Sequence, residues 1–229
     1  MDSEARPRAR LDWRKDGHII WMTTAIAGWC DDQNVDAMAV AIESMPAGAV
    51  VEIGSFLGRS TCMIARLLEL VRGDTAFYSV DDWYFQGYVP DAPVSEHITH
   101  DNWRSYTERT FRANAEYFAA KKPRHMKMRS DEFFAAWKNG ERRMDIFGRE
   151  HKLGGTISFA FIDGDHRYEP CRRDVDNVMA TLALRGFLFL DDSYDGIPFG
   201  SGKVGEELLH RSDLRLVGRF PNLLFQRVG

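Results

Sequence analysis

Across residues 32–45, Val35, Met38, Ala39, Ile42 and Met45 recur at three- and four-residue intervals, one face of a helix that Pro46 and Gly48 then stop. The pattern next tightens to a short β-branched run, Ala49–Ile53, followed by a glycine turn. Residues 60–71 return to helical spacing, with Met63, Ile64, Leu67, Leu68 and Val71 on one stripe and Gly73 ending it. Phe77–Val80 reads as a second strand that stops at Asp81-Asp82, 126–128 as a short third, and 131–137 as a helical segment after it. Ile157–Ile162 is an apolar strand ending at Asp163. A helix over 168–184 follows, with Cys171, Val175, Val178, Met179 and Leu182 inward. Residues 187–190 form another apolar strand ending on acid, at Asp191-Asp192, and β-like runs at 214–217 and 223–228 close the chain across Pro221-Asn222.

Strands alternating with helices predict an α/β fold, a mostly parallel sheet with helices on both faces. Residues 83–120 break the alternation and read as an insertion after the second strand. It carries Trp83, Tyr84, Phe85, Tyr88, Pro90 and Pro93, then a helix over 101–120 with Trp103, Tyr106, Phe111, Tyr117 and Phe118. A lid, a dimer contact and an ordinary core element all fit it. Trp103, Tyr106 and Phe111 read as core or dimer contact before substrate platform. A length of 229 residues suits one domain over 1–229, and 44% hydrophobic with 28% charged residues is the balance of a globular chain. A net charge of −4 gives no basic field for nucleic acid, and no apolar run approaches the roughly 20 residues of a membrane span. Residues 1–16, with Arg6, Arg8, Arg10, Arg14 and Lys15, lack an apolar signal core and read as a solvated tail, a basic arm being the alternative. Cys30, Cys62 and Cys171 build neither a disulfide framework nor a zinc pair, so a cytoplasmic setting is expected.

The acids decide where chemistry belongs. In open α/β sheets ligands bind beyond the carboxyl ends of the strands, and Glu52, Asp81/Asp82, Asp163/Asp165 and Asp191/Asp192 all fall at such ends. Any one could be a turn former or a helix cap, but four converging ends crowd like charges and so point to a ligand. The turn Glu52-Ile53-Gly54-Ser55-Phe56-Leu57-Gly58 lacks both the dinucleotide fingerprint and the Walker spacing. What remains suits a ligand without phosphates that has a cationic or hydroxyl-rich end, and Asp81 stands where an acid can hold two ribose hydroxyls. A nucleoside with a positively charged tail describes S-adenosylmethionine.

The blocks VVEIGSFLGRST (50–61), YSVDDW (78–83), FIDGDHRYE (161–169) and RGFLFLDDSY (185–194) resemble class I S-adenosylmethionine-dependent methyltransferases. The nearest branch holds macrocin-type sugar O-methyltransferases and cephalosporin-hydroxylase-like proteins, which share the I-D-G-D-H-x-Y signature. The resemblance implies a Rossmann-like, seven-stranded sheet of order 3-2-1-4-5-7-6 with its last strand antiparallel. It implies that Glu52, Gly54, Ser55, Gly58 and Ser60 line the methionine and ribose side, together with Asp163. Asp81 would hold the ribose with Trp83 near it, and Ser130 would lie by the adenine. In metal-dependent members the positions of Asp163, Asp191 and Asp192 bind Mg²⁺, and Asp165 is the general base, with His166 its competitor.

The implied reaction is Mg²⁺-assisted O-methylation of a small hydroxylated acceptor such as a sugar, by a protein that assembles with copies of itself and engages neither nucleic acid nor membrane. The alternatives are a metal-independent methyltransferase and a non-catalytic nucleoside-binding subunit. His97 and His100 read as surface residues before acceptor-pocket residues. The connection 140–155 reads as a mobile loop, and 198–207, superficially like a phosphate loop, as a flexible rim of the site.

Overall fold

The computed structural model describes residues 6–85, 89 and 91–229, so Tyr88 and Pro90 of the insertion lie outside the described residues. In chain order the elements are α1 (Gly17–Ala25), α2 (Asp32–Ser44), β1 (Ala49–Ile53), α3 (Arg59–Val71), β2 (Phe77–Val80), β3 (Pro93–Ser95) and β4 (Ile98–Thr99). Next come α4 (His100–Phe118), β5 (Arg124–Met126), α5 (Ser130–Asn139), β6 (Arg142–Met144), β7 (Glu150–Lys152) and β8 (Ile157–Ile162). The last are α6 (Tyr168–Met179), β9 (Leu182–Leu190), α7 (Gly200–Leu208), β10 (Leu214–Phe220) and β11 (Asn222–Arg227).

The main sheet has seven strands in the order β10-β11-β9-β8-β1-β2-β5. The pairs β5-β2, β2-β1, β1-β8 and β8-β9 are parallel, while β11 runs antiparallel to both β9 and β10. Counting only its members, this is the order 3-2-1-4-5-7-6 of the Rossmann-like methyltransferase fold.

Period-two alternation divides the core. Val50, Phe159, Phe161 and Phe189 face α1, α2 and α3, where Ile19, Met38, Ile42, Cys62 and Met63 are buried. Val51, Ile53, Ala160, Ile162 and Leu190 face the other way, against Phe133, Trp137, Cys171, Val175 and Val204 of α5, α6 and α7. Trp83, Phe111 and Ala115 make a small separate cluster between the insertion and the sheet edge.

Several expectations are corrected. Residues 6–16 are not a solvated tail: Trp13 is buried and its indole N–H donates to Asp36 at 2.7 Å. The Arg10 amide also donates to Glu43, at 2.8 Å, so acids on the outer side of α2 hold the segment down. The helix expected over 168–184 ends at Met179, because β9 begins at Leu182 and bends at Arg185 (φ 66°) and Gly186. Within 140–155, β6 and β7 pair as a hairpin. Residues 198–207 contain most of α7, with Ser201, Gly202, Val204 and Gly205 buried, because small residues let this helix press against its neighbours. No helix among the described residues is long and apolar enough to cross a membrane.

Candidate active site

Gly54 follows β1 at φ 83°, with its amide donating to the Val80 carbonyl at 2.9 Å, and the Asp163 amide donates to the Ile53 carbonyl at 2.8 Å. The ends of β1, β2 and β8 are thereby tied at one point, the rim that the acids were expected to share. Gly58, at φ 89°, is the N-cap of α3 and makes no side-chain cap to the first amides of that helix.

Asp81 organises the turn. Its Oδ2 accepts from the amides of Ser55 (2.9 Å) and Phe56 (3.1 Å), and its Oδ1 accepts from the Trp83 amide (2.7 Å). The Trp83 indole N–H closes the loop on the Phe56 carbonyl at 2.9 Å. A carboxylate has about four lone-pair sites, so Asp81 keeps capacity on Oδ1 for a hydroxyl. Beneath Trp83 lies a residue the sequence reading missed. His125 is buried, stacks on Trp83 at 4.7 Å and 17°, and contacts Ser79 Oγ and the Asp81 carbonyl, each at 3.2 Å. Burial pushes its imidazole down to about 3, so it is neutral packing under the turn.

Glu52 does not face the crevice. It is fully buried, and its carboxylate accepts from Ser60 Oγ (2.6 Å) and Thr61 Oγ1 (2.5 Å), binding β1 to α3. Ser60 is committed to the same contact. Burial raises Glu52 from the ordinary 4.5 to about 7, against the pull of the hydroxyls and with the Asp81 charge adding to the rise. The folded state therefore binds a proton the unfolded chain releases, and this stability is complete below the unfolded value and lost as pH rises through the folded one. Urea denaturation should show stability falling between about pH 5 and 8 by at most about 3 kcal/mol, and Glu52→Gln should flatten that slope. An unchanged slope in the variant would assign the titration elsewhere.

Ser130 opens α5, and Asp174 is a buried acid of α6. Asp174 is 2% exposed, burial raises it to about 6, and its Oδ1 has no hydrogen-bond partner among the described residues. It lies under Gly164, in the loop that carries Asp163.

Asp163 and Asp191 directly follow Ile162 and Leu190, which are paired at the ends of β8 and β9. Burial, then the neighbouring Asp191 charge, push Asp163 well above the usual carboxylate range, and burial raises Asp191 too. Asp191 Oδ1 accepts amide N–H groups from Asn34 (3.3 Å) and Asn222. His166 stands across the crevice with Nε2 3.8 Å from Asp163 Oδ1 and Nδ1 3.6 Å from Asp192 Oδ2. Its ring lies 5.5 Å from that of Phe199, its carbonyl accepts from the Ser201 amide at 3.0 Å, and Ser201 Oγ donates to the Asp192 carbonyl at 2.7 Å. The start of α7 thus fixes both residues. Asp165 is turned away: Arg167 donates to it from the backbone and the guanidinium. Burial alone would raise this carboxyl, but those bonds outweigh burial and hold it below the usual range.

The expected Mg²⁺ site does not fit this arrangement. Three carboxylates are suitable hard donors, yet two side-chain amides occupy Asp191 Oδ1 and the imidazole stands between Asp163 and Asp192. Among the described residues no group of three His, Cys, Asp or Glu side chains could hold a metal ion.

A family model described as a methyltransferase domain matches residues 51–193, from β1 through the acidic pair. The chain belongs to that methyltransferase family. No curated protein sequence matches the methyltransferase. Among solved structures it is similar to the calicheamicin methyltransferase CalS11, at 14% identity over 100% of both chains with a TM-score of 0.56. It is also similar to the O-methyltransferase NovP, at 16% identity over 86% of this chain and 80% of that one, TM-score 0.54. A third is the O-methyltransferase TomG of Streptomyces achromogenes, involved in tomaymycin synthesis and solved with S-adenosylmethionine, at 14% identity over 94% and 91%, TM-score 0.54. At these identities the likeness is one of fold, and the methyltransferase shares that fold across its whole length.

Proposed function

We propose that this methyltransferase moves the methyl group of S-adenosylmethionine to a hydroxyl of a small organic acceptor, with His166 as the general base and without a metal-dependent step. The observation that carries the proposal is the imidazole between Asp163 and Asp192, at the rim where the glycine turn and the uncapped end of α3 meet. The residues suit the donor: acids at the rim favour a cation, Asp81 Oδ1 can accept from a ribose hydroxyl, and the free α3 terminus suits the methionine carboxylate. S-adenosylmethionine supplies an electrophilic methyl on a sulfonium. An alcohol near pH 7 is a weak nucleophile until its proton is removed, and the imidazole, unlike Asp165, has no arginine partner among the described residues. Asp163 and Asp192 flank the ring, one beside each nitrogen at 3.8 and 3.6 Å, where carboxylate charge favours the positive charge that develops in the transition state. Asp163, Asp191 and Asp192 otherwise act as an acidic wall held by Asn34 and Asn222.

The test combines calorimetric binding of S-adenosylhomocysteine with methyl transfer from labelled donor to a panel of hydroxylated acceptors. Exhaustive EDTA treatment should leave the rate within about twofold. A loss restored by Mg²⁺ would overturn the metal-free mechanism, and failure to bind S-adenosylhomocysteine would overturn the donor.

A further inference from the structure

Four aromatic rings from three separate segments run in one strip along the outside of the glycine turn. Trp29, in the loop between α1 and α2, stacks on Phe56 at 5.4 Å and 29°. Phe56 lies 6.3 Å and 38° from Trp103 of α4, which stacks on Tyr106 at 5.6 Å and 30°. Trp29 is 85% exposed and Tyr106 48%, an arrangement a monomeric surface has no packing reason to keep.

The strip is built rather than incidental. Phe56 occupies the left-handed region at φ 44°, which disfavours a bulky side chain, and the Asp81 carboxylate holds it there through the Phe56 amide at 3.1 Å. The Arg59 guanidinium is clamped to the carbonyls of Gly28 and Thr23, fixing the loop that carries Trp29. Asn114 donates to the Leu57 carbonyl at 2.8 Å and pins α4 to the turn. Next to Trp29, the buried Cys30 thiol is pushed up by burial and then by the charges of Asp163 and Asp191, so the chain at this end of the strip runs close to the acidic wall.

We propose that this strip is the acceptor subsite and that the acceptor is an uncharged molecule with a flat aromatic ring carrying the reacting hydroxyl. The inference rests on the methyl-transfer reading and names its substrate class. Ring faces recognise ring faces by offset stacking. A sugar presents hydroxyls around its whole rim, whereas the strip offers only two indole N–H groups and one phenol to meet them. An anionic acceptor is disfavoured by charge, since Asp163, Asp191 and Asp192 line the reacting end, while Arg59 is committed to backbone carbonyls and Arg104 lies over the Tyr84 ring and donates to the Asp82 carbonyl. In the reaction the phenolic oxygen forms a bond to the methyl carbon as the carbon–sulfur bond breaks. The electron pair leaves on sulfur, giving S-adenosylhomocysteine, and the phenolic proton passes to His166.

Catechol and cis-1,2-cyclohexanediol present the same vicinal hydroxyls on an aromatic and a saturated ring. Titration calorimetry on the full chain, with and without S-adenosylhomocysteine, should show catechol binding at least about tenfold tighter. Trp29→Ala and Trp103→Ala should each weaken catechol about three- to tenfold while leaving cyclohexanediol and S-adenosylhomocysteine unchanged. Equal affinity for the two diols, or no binding of catechol, overturns the proposal. So does a Trp29→Ala protein that keeps catechol affinity but changes oligomeric state by sedimentation, which would assign the strip to a second copy of the chain. Loss of S-adenosylhomocysteine binding in the unmodified protein would instead sink the donor reading, independently of the diol comparison.

Discussion

Replacing His166 with alanine is expected to lower kcat for methyl transfer by about 10²- to 10⁴-fold, with the affinity for S-adenosylhomocysteine unchanged within about threefold. The magnitude is that of a general base that removes a proton in the rate-limiting step. The affinity is spared because the donor-side contacts of Ser55, Phe56 and Trp83 converge on Asp81, away from the imidazole. Asp165→Asn is the control, with an expected loss of less than about fivefold, since its carboxylate already accepts from Arg167 and holds its proton weakly. Steady-state kinetics on the two variants with one phenolic acceptor decides the matter. A reversed order, with Asp165→Asn nearly inactive and His166→Ala nearly intact, would return the base to Asp165.

That order also shows where the sequence stopped being readable. The sheet was legible because each central strand is an apolar run closed by glycine or acid, and the bounds Ala49–Ile53, Phe77–Val80 and Ile157–Ile162 coincide with β1, β2 and β8. The acids were legible as a group, since strand ends share one rim whatever their rotamers. What each acid does was not. Asp165 and His166 are adjacent in the chain, and only the direction of each side chain separates an arginine partner from a crevice. Glu52 read as a ligand contact because it ends a strand, but the hydroxyls that bury it come from the next helix. Two signals went unused. Asp174 stands on the inward stripe of α6 among Cys171, Val175 and Val178, and Asn34 is a polar residue beside the buried Val35 of α2. A polar side chain on an apolar stripe has to be matched by a partner. The short segments α1 and α7 were missed because their stability is tertiary, with buried residues supplied by contact with the sheet and with α6 rather than by a sustained period.

Gly54→Ala should be the most damaging conservative change in the fold, destabilising it by about 3–5 kcal/mol in urea denaturation. Two costs coincide there. The backbone holds φ 83°, where a Cβ is disfavoured, and an added Cβ would sit 1.9 Å from the Asp163 carbonyl oxygen and 2.5 Å from its carbon. The obstacle is backbone that cannot rotate away, because the Asp163 amide is bonded to the Ile53 carbonyl at 2.8 Å and the Asp191 amide to that of Ile162 at 2.9 Å. Relief requires prying β8 from β1, which moves Asp163, and with it the imidazole of His166, out of register. The folded fraction of the variant should therefore also lose methyl transfer. Gly58→Ala supplies the contrast: at φ 89° its nearest obstacle is the Phe111 ring at 3.1 Å, a side chain that can shift, so about 1–3 kcal/mol is expected. A Gly54→Ala protein less than about 1 kcal/mol weaker than the parent would show that the turn is slack. The close coupling of the glycine turn to the catalytic loop, on which the placement of Asp163 and His166 depends, would then be lost.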